Sequence, residues 1–194
     1  SVIMADLVFK YGSMGSSKSA FALMLRVSYM ESGKNVLLLK PSIDTRDGCD
    51  IIKSRVGIEA RCKTFSKDER IITKFIDDLL VCDVIIVDEA QFATKGQIDE
   101  LKAISEEMDK TVYCFGLRTD FQTNMFEGSK RLFELSTKIE ILPKKCECGN
   151  EAIVNARYDD SGIVYDGNQV ELGSNDKYKA LCYTCYKRGR LHVK

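Results

Sequence analysis

The chain has 194 residues, 44% of them hydrophobic and 30% charged, with 29 Lys plus Arg against 29 Asp plus Glu. That length carries one good hydrophobic core with room for a small appendage, and the composition excludes disorder for most of the chain. The charge balance removes any global argument for coating DNA or a membrane surface, and the longest apolar runs are strand-sized, so neither a membrane span nor a signal peptide is expected.

Leu7 to Tyr11 reads as a short strand running into Gly12-Ser13-Met14-Gly15-Ser16-Ser17-Lys18-Ser19. A helical pattern follows from about Ser19 to Ser32, with Phe21, Leu25 and Ser28 or Leu23, Val27 and Met30 at helical spacing, closed by Gly33. Val36 to Leu39 is a strand of the buried kind, stopped by Pro41. Ser42 to Thr64 carries charges, two glycines and no clean period, and is expected to be a long mobile loop. Ile71, Ile72, Phe75, Ile76, Leu79 and Leu80 predict a helix over Lys67 to Val81. Val84 to Val87 is a buried strand ending on Asp88-Glu89. A helix over about Lys95 to Met108, a strand over Thr111 to Phe115, a turn at Gly116, and a helix and strand between Ser129 and Leu142 complete the series. Alternating strands and amphipathic helices predict an α/β fold, a parallel sheet flanked by helices with ligands at the carboxyl ends of its strands. The pattern changes near Pro143, and a boundary is expected there, with 1–142 as the α/β domain and 143–194 as a small second one.

Gly12 and Lys18 have the spacing of a Walker A loop, with Ser19 in the hydroxyl position, so the sheet is expected to be P-loop NTPase-like. A tight loop entering a helix aims backbone N–H groups and the positive end of the helix dipole at phosphate oxygens; Lys18 then reaches the outer phosphates and Ser19 the magnesium. Taken alone, the stretch also describes a solvated Gly/Ser turn. Ser17 stands where a glycine is expected, and if that position needs positive φ its Cβ costs about 1–2 kcal/mol. Asp88 would face Ser19 across the metal, and Glu89 is a candidate base, although strand ends commonly carry exposed acids.

Eight cysteines and one histidine, His192, are the unusual entries in the composition. Cys146-x-Cys148 and Cys182-x-x-Cys185 are two thiolate clamps suited to one tetrahedral zinc, with disulfides or free thiols as the alternative. Cys49, Cys62, Cys82 and Cys114 have no pairing logic and are expected to be reduced thiols. The shortage of histidine leaves carboxylates as the candidate bases.

Gly12 to Ser19, Lys40-Pro41-Ser42-Ile43-Asp44-Thr45-Arg46, Asp88-Glu89-Ala90-Gln91-Phe92, Gly116-Leu117-Arg118-Thr119-Asp120-Phe121 and the cysteine quartet, in this order, resemble the zinc-containing type II thymidine kinases over nearly the whole chain. The resemblance implies a cytoplasmic homotetramer that uses ATP and magnesium to phosphorylate the 5′-hydroxyl of thymidine and deoxyuridine, with a structural zinc and feedback inhibition by dTTP. It implies Glu89 as base, Asp88 as magnesium-associated acid, and Lys18, Ser19 and the rest of the loop, with Ala90 and Gln91, around the nucleotide. Arg46 and Asp44 match a loop pair near the transferred phosphate. Met14, Phe92, Leu117, Phe121 and Phe126 fall where the family encloses the base, although core is the commoner fate of phenylalanine. Asn155 matches a base-contacting position, and Gly173, Ser174 and Tyr178 match a lasso loop over the thymine.

A phosphate-loop ATPase whose zinc ribbon binds nucleic acid is the competing reading, with Lys187, Arg188, Arg190 and Lys194 as its only basic cluster. A non-catalytic module with a phosphate loop degraded at Ser17 is the third.

Overall fold

The computed structural model describes residues 4–43, 50–171 and 177–193. β1 (Leu7–Tyr11) leads through the Gly/Ser loop into α1 (Lys18–Glu31), which returns to β2 (Val36–Pro41). Ala20, Ala22 and Leu23 bury the inner side of α1, whereas Phe21, Met24, Val27 and Met30 are each 43–49% exposed, so the Leu23, Val27, Met30 spacing does not mark a single buried face.

Three short strands occupy part of the expected loop, which corrects that expectation. β3 (Ile51–Lys53) and β4 (Glu59–Arg61) form an antiparallel hairpin, and β5 (Lys63–Phe65) joins the main sheet beside β2. Three residues are too few for a period to register. The hairpin turn is held locally, with Ile58 N donating to Ser54 Oγ at 3.0 Å.

The helix expected over 67–81 is two: α2 (Ile71–Lys74) and α3 (Ile76–Val81). Between them Phe75 leaves helical geometry at φ −112°, ψ 20°, and its ring is buried. The Glu100 carboxylate accepts from Ile71 N and Ile72 N at 3.0 and 3.2 Å, which satisfies the first donors of α2.

β6 (Val84–Val87) follows, then a 3₁₀ turn over Ala90–Phe92, α4 (Lys95–Glu107) and β7 (Thr111–Gly116). Thr94 and Gln97 close a capping box at the start of α4. α5 (Glu127–Leu135) and β8 (Lys138–Ile141) complete the main layer.

The main sheet has the order β5-β2-β6-β7-β1-β8, and every pairing in it is parallel. Side chains alternate between two cores. Leu39, Ile85, Val87 and Cys114 pack on the side of α2 to α5, while Leu38, Val84, Ile86 and Phe115 pack on the side of α1 and the β3–β4 hairpin. Burial on both faces explains why these strands read as continuous apolar runs.

Beyond Pro143 a second sheet, antiparallel with order β10-β9-β11, is built from β9 (Val154–Asp159), β10 (Gly162–Val164) and β11 (Lys177–Leu181), followed by α6 (Tyr183–Lys187). Among the described residues no helix is long and apolar enough to cross a membrane.

Candidate active site

The carboxyl ends of β1, β6 and β7 lie side by side, because β7 pairs with both of the others. Gly12, just past β1, donates from its N–H to Gly116 O at 3.2 Å. A Cβ at Gly12 would lie 2.5 Å from Ser16 Oγ and 2.6 Å from Leu142 O, so only glycine fits where the loop turns. Lys18 folds back over the loop, its Nζ donating to Ser13 O at 2.9 Å. Ser13 Oγ is buried without a partner among the described atoms. Ser17 has φ 65° and ψ 31°, the left-handed conformation in which a side chain is strained.

A cavity of about 330 Å³ opens in front of this loop. Met14, Gly15, Ser17, Lys18 and Ser19 line one side, Asp88, Glu89, Gln91, Phe92 and Leu117 another, and Lys53 and Arg55 of the hairpin a third. Ser19 Oγ donates to Asp88 Oδ2 at 2.7 Å. Asp88 also accepts from the Glu89 N–H at 3.0 Å and is 3% exposed. Desolvation raises its pKa above the ordinary carboxylate range in spite of those bonds and of the Lys18 and Lys40 charges.

Glu89 takes φ 51° and ψ 37°, a second strained position at the end of β6. Its side chain is open to water on the cavity side and enclosed by protein on the others. Its pKa is raised, first by desolvation and then by the Asp88 charge beside it. Burial pushes the Lys18 ammonium down to about 8; Asp88 and Glu89 oppose that shift and Arg55 adds to it.

These groups suit a magnesium nucleotide. An acid and a hydroxyl 2.7 Å apart are the hard oxygen donors magnesium takes, Asp88 and Ser19 being the residues that would hold it. Gly15, Ser17 and Lys18, which line the cavity where the loop enters α1, suit a phosphate chain.

Gln91 and Phe92 separate this cavity from a second, of about 390 Å³, which Phe126, Gln169 and Val170 also line. The Phe92 and Phe126 rings meet edge to face at 5.5 Å. Gln91 Oε1 accepts from Leu117 N at 3.1 Å, tying the end of β6 to the end of β7. Ala90 is fully buried in the core and does not line the cavity. Phe121 is 2% exposed, against the Arg157 guanidinium. Asn155 Oδ1 accepts from Met14 N at 2.7 Å and its Nδ2 donates to Thr119 O at 3.0 Å, so these bonds join protein to protein. Tyr178 Oη accepts from Arg157 Nε at 2.9 Å.

The thiols of Cys146, Cys148, Cys182 and Cys185 all lie within 4.8 Å of one another. A tight turn presents the first pair, with Gly149 N donating to Cys146 O at 2.8 Å, and the second pair sits at the start of α6, where Cys185 N donates to Cys182 Sγ at 3.4 Å. Four thiols so gathered, none of them in a disulfide, form a donor set able to hold a metal ion, and tetrahedral zinc with Zn–S of about 2.3 Å fits it.

A family model described as thymidine kinase matches residues 5–186. The chain belongs to the thymidine kinase family. A thymidine kinase of Rhodopirellula baltica is 37% identical, covering 98% of this chain and 89% of that protein. One from Streptococcus thermophilus is 40% identical over 92% of each chain, and one from Zymomonas mobilis 39% identical over 92% of this chain and 94% of that protein. The chain is an enzyme of this family.

Of the residues matched to the thymidine kinase pattern, Asp44, Arg46, Gly173 and Ser174 lie outside the described residues, as does Cys49. Lys53 and Arg55 were not anticipated, since they fall in the stretch read as loop. The Ser54-Arg55-Val56-Gly57 turn between charged residues was the available signal.

Proposed function

We propose that this chain transfers the γ-phosphoryl group of ATP to the 5′-hydroxyl of thymidine, and of deoxyuridine. The observation that carries the reading is the convergence of Lys18, Ser19, Asp88 and Glu89 on one cavity, with Ser19 and Asp88 in direct contact. The relatives' names supply the nucleoside.

Magnitudes constrain how Glu89 acts. An alcohol with a pKa near that of water, about 15.7, differs from a glutamate near 4.3 by roughly 11 units, or about 15 kcal/mol. The upward shift at Glu89 narrows that gap without closing it. Glu89 therefore orients the hydroxyl and accepts its proton late, as the P–O bond forms in a loose transition state. Lys18, and Arg46 by resemblance, stabilise the phosphoryl oxygens. Magnesium, when bound by Asp88 and Ser19, supplies further charge neutralisation on the phosphates.

The remaining parts of the reading have separate supports. Cys146, Cys148, Cys182 and Cys185 take a structural zinc, in a metal-binding unit after residue 142 that covers the nucleoside. Met14, Phe92, Leu117, Phe121, Phe126, Asn155 and Tyr178 enclose or back the base. The exposed Phe21, Met24, Val27 and Met30 of α1 suit burial in a homotetramer. Feedback inhibition by dTTP follows from the resemblance, and a reducing cytoplasm suits thiolates kept for a metal. Nucleic acid and membrane are not among the partners.

The test is product formation from magnesium ATP with thymidine, deoxyuridine, deoxycytidine and deoxyguanosine side by side, with single-stranded DNA as a competing stimulant of ATP turnover. Thymidine and deoxyuridine are expected to be phosphorylated. DNA-stimulated turnover with thymidine ignored would sink the assignment. Glu89→Gln is expected to leave ATP affinity near normal and lower turnover by two or more orders of magnitude; unchanged turnover removes Glu89 from the role.

A further inference from the structure

Arg157, on β9, is 1% exposed, which makes it the largest fully buried side chain among the described residues. A guanidinium taken from water must have its donors met, and these are met in an unusual way. Nε donates to Tyr178 Oη at 2.9 Å, one terminal nitrogen to Asn168 O at 2.9 Å and the other to Gln169 O at 3.2 Å. The guanidinium carbon lies 3.7 Å from the centroid of the Phe121 ring, and the Glu171 carboxylate comes within 4.0 Å.

Three pieces of chain distant in sequence are thereby fastened to one cation: the loop after β7, the return segment 165–171 and β11. The return segment is built to accept it. Gly167 has φ 140°, and a Cβ there would sit 3.3 Å from the Arg157 terminal nitrogen and 3.7 Å from Phe121 Cζ. Gln169 Nε2 further donates to Asp120 Oδ2 at 3.0 Å, and Gln122 Nε2 to Tyr165 O at 2.8 Å.

We propose that Arg157 is the positioning residue of the nucleoside site, holding Phe121, Tyr178 and the segment 165–171 in place before the nucleoside arrives. This inference rests on the thymidine kinase reading above, in which Phe121 and Tyr178 border the base. Neither Arg157 nor the Phe121 and Tyr178 side chains line either cavity; the clamp reaches the second cavity through Gln169, whose carbonyl Arg157 holds and which lines it. Lysine cannot replace it, since an ammonium has no planar face to stack and no fork to reach two carbonyls while bonding a phenol. A loop fixed in advance spares the nucleoside the cost of ordering it, so loss of the clamp appears in nucleoside affinity.

The experiment compares wild type with Arg157→Lys, Arg157→Ala and Gly167→Ala, the last leaving the guanidinium intact while displacing the segment it holds. KM for thymidine, KM for ATP, kcat, zinc content and amide exchange over 165–171 and 177–179 in nucleoside-free protein are measured. Arg157→Lys and Gly167→Ala are each expected to raise thymidine KM tenfold or more and speed exchange in those segments, with ATP KM within about twofold and zinc unchanged. If Arg157→Ala fails to fold, the other two variants decide. Unchanged thymidine KM in both, or an equal rise in both KM values with a fall in kcat and zinc, overturns the proposal. A wild type inactive on thymidine overturns the function itself, and this inference with it; an active wild type with unaffected variants overturns this inference alone.

Discussion

Ser19 Oγ donates a 2.7 Å hydrogen bond to Asp88 Oδ2, joining the start of α1 to the end of β6 across 69 positions. The contact brings the two residues proposed to hold magnesium together before any nucleotide is present, at the expense of burying a carboxylate. A raised folded-state pKa means that ionised Asp88 disfavours folding, by an amount that grows as pH rises from the unfolded value through the folded one and is fully present above it.

Asp88→Asn is therefore expected to be at least as stable as wild type at pH 7 while losing about a hundredfold or more in turnover, since an amide keeps the Ser19 bond but not the charge the metal needs. Thermal unfolding without nucleotide, set against kcat, checks both halves. A less stable variant with normal turnover contradicts the assignment.

Ser17 offers the opposite trade. It sits at φ 65° with an exposed side chain that makes no capping bond. Ser17→Gly removes a strain of about 1–2 kcal/mol, offset by about 0.4–1 kcal/mol from the greater freedom of the unfolded chain. A net gain of up to about 1.6 kcal/mol is expected in denaturant melts, with a several-fold lower KM for ATP. Ser17→Ala, which keeps the Cβ, is expected to show neither.

How much of this could be read from residue order depended on the length scale of the determinant. Val84 to Val87 and Val36 to Leu39 were legible because burial on both faces writes itself as an unbroken apolar run. The tight loop at Gly12 to Ser19 and the Asp-Glu strand end were legible from their fixed spacings, and the strain at Ser17 followed from a serine standing where a glycine is expected. The β3–β4 hairpin was not legible, because three-residue strands have no period, and with it Arg55 was missed. Phe75 breaks a helix whose apolar spacing is otherwise sound, since that spacing cannot register a ring turning into the core. The bonds of Asn155 and Arg157 were out of reach because their partners lie far along the chain or on backbone atoms that carry no sequence signature.

Lys18 gives a pH-dependent prediction. With its folded pKa at about 8 against an ordinary 10.5, the native state binds fewer protons than the unfolded one between those values, so this group makes stability rise with pH across that window. Phosphates placed on the ammonium restore its proton. ATP binding at pH 8.5 is expected to take up about two-thirds of a proton more than at pH 7, measured calorimetrically in buffers of different ionisation enthalpy. In Lys18→Met the difference is expected to vanish.

The cysteine cluster predicts about one zinc per chain, lost in Cys182→Ser. Cys182 Sγ lies 3.5 Å from Cys148 Sγ and also accepts from the N–H of Cys185. Losing the metal is expected to unfold the β9–β11 sheet, because a small core of this kind depends on its staple. Zinc analysis and thymidine phosphorylation should fall together by more than tenfold. Full activity in metal-free protein contradicts a structural role.

The bond from Met14 N to Asn155 Oδ1 has a consequence for the order in which the protein becomes competent. Synthesis delivers the Gly/Ser loop first, but the partner of this amide arrives 141 residues later, in a strand whose sheet is completed only by Lys177–Leu181. A nascent chain released early holds Lys18 and Asp88 but lacks the clasp on its loop, and closing so long a loop is a late event in folding. The clasp on the loop is thus among the last contacts the growing chain can make.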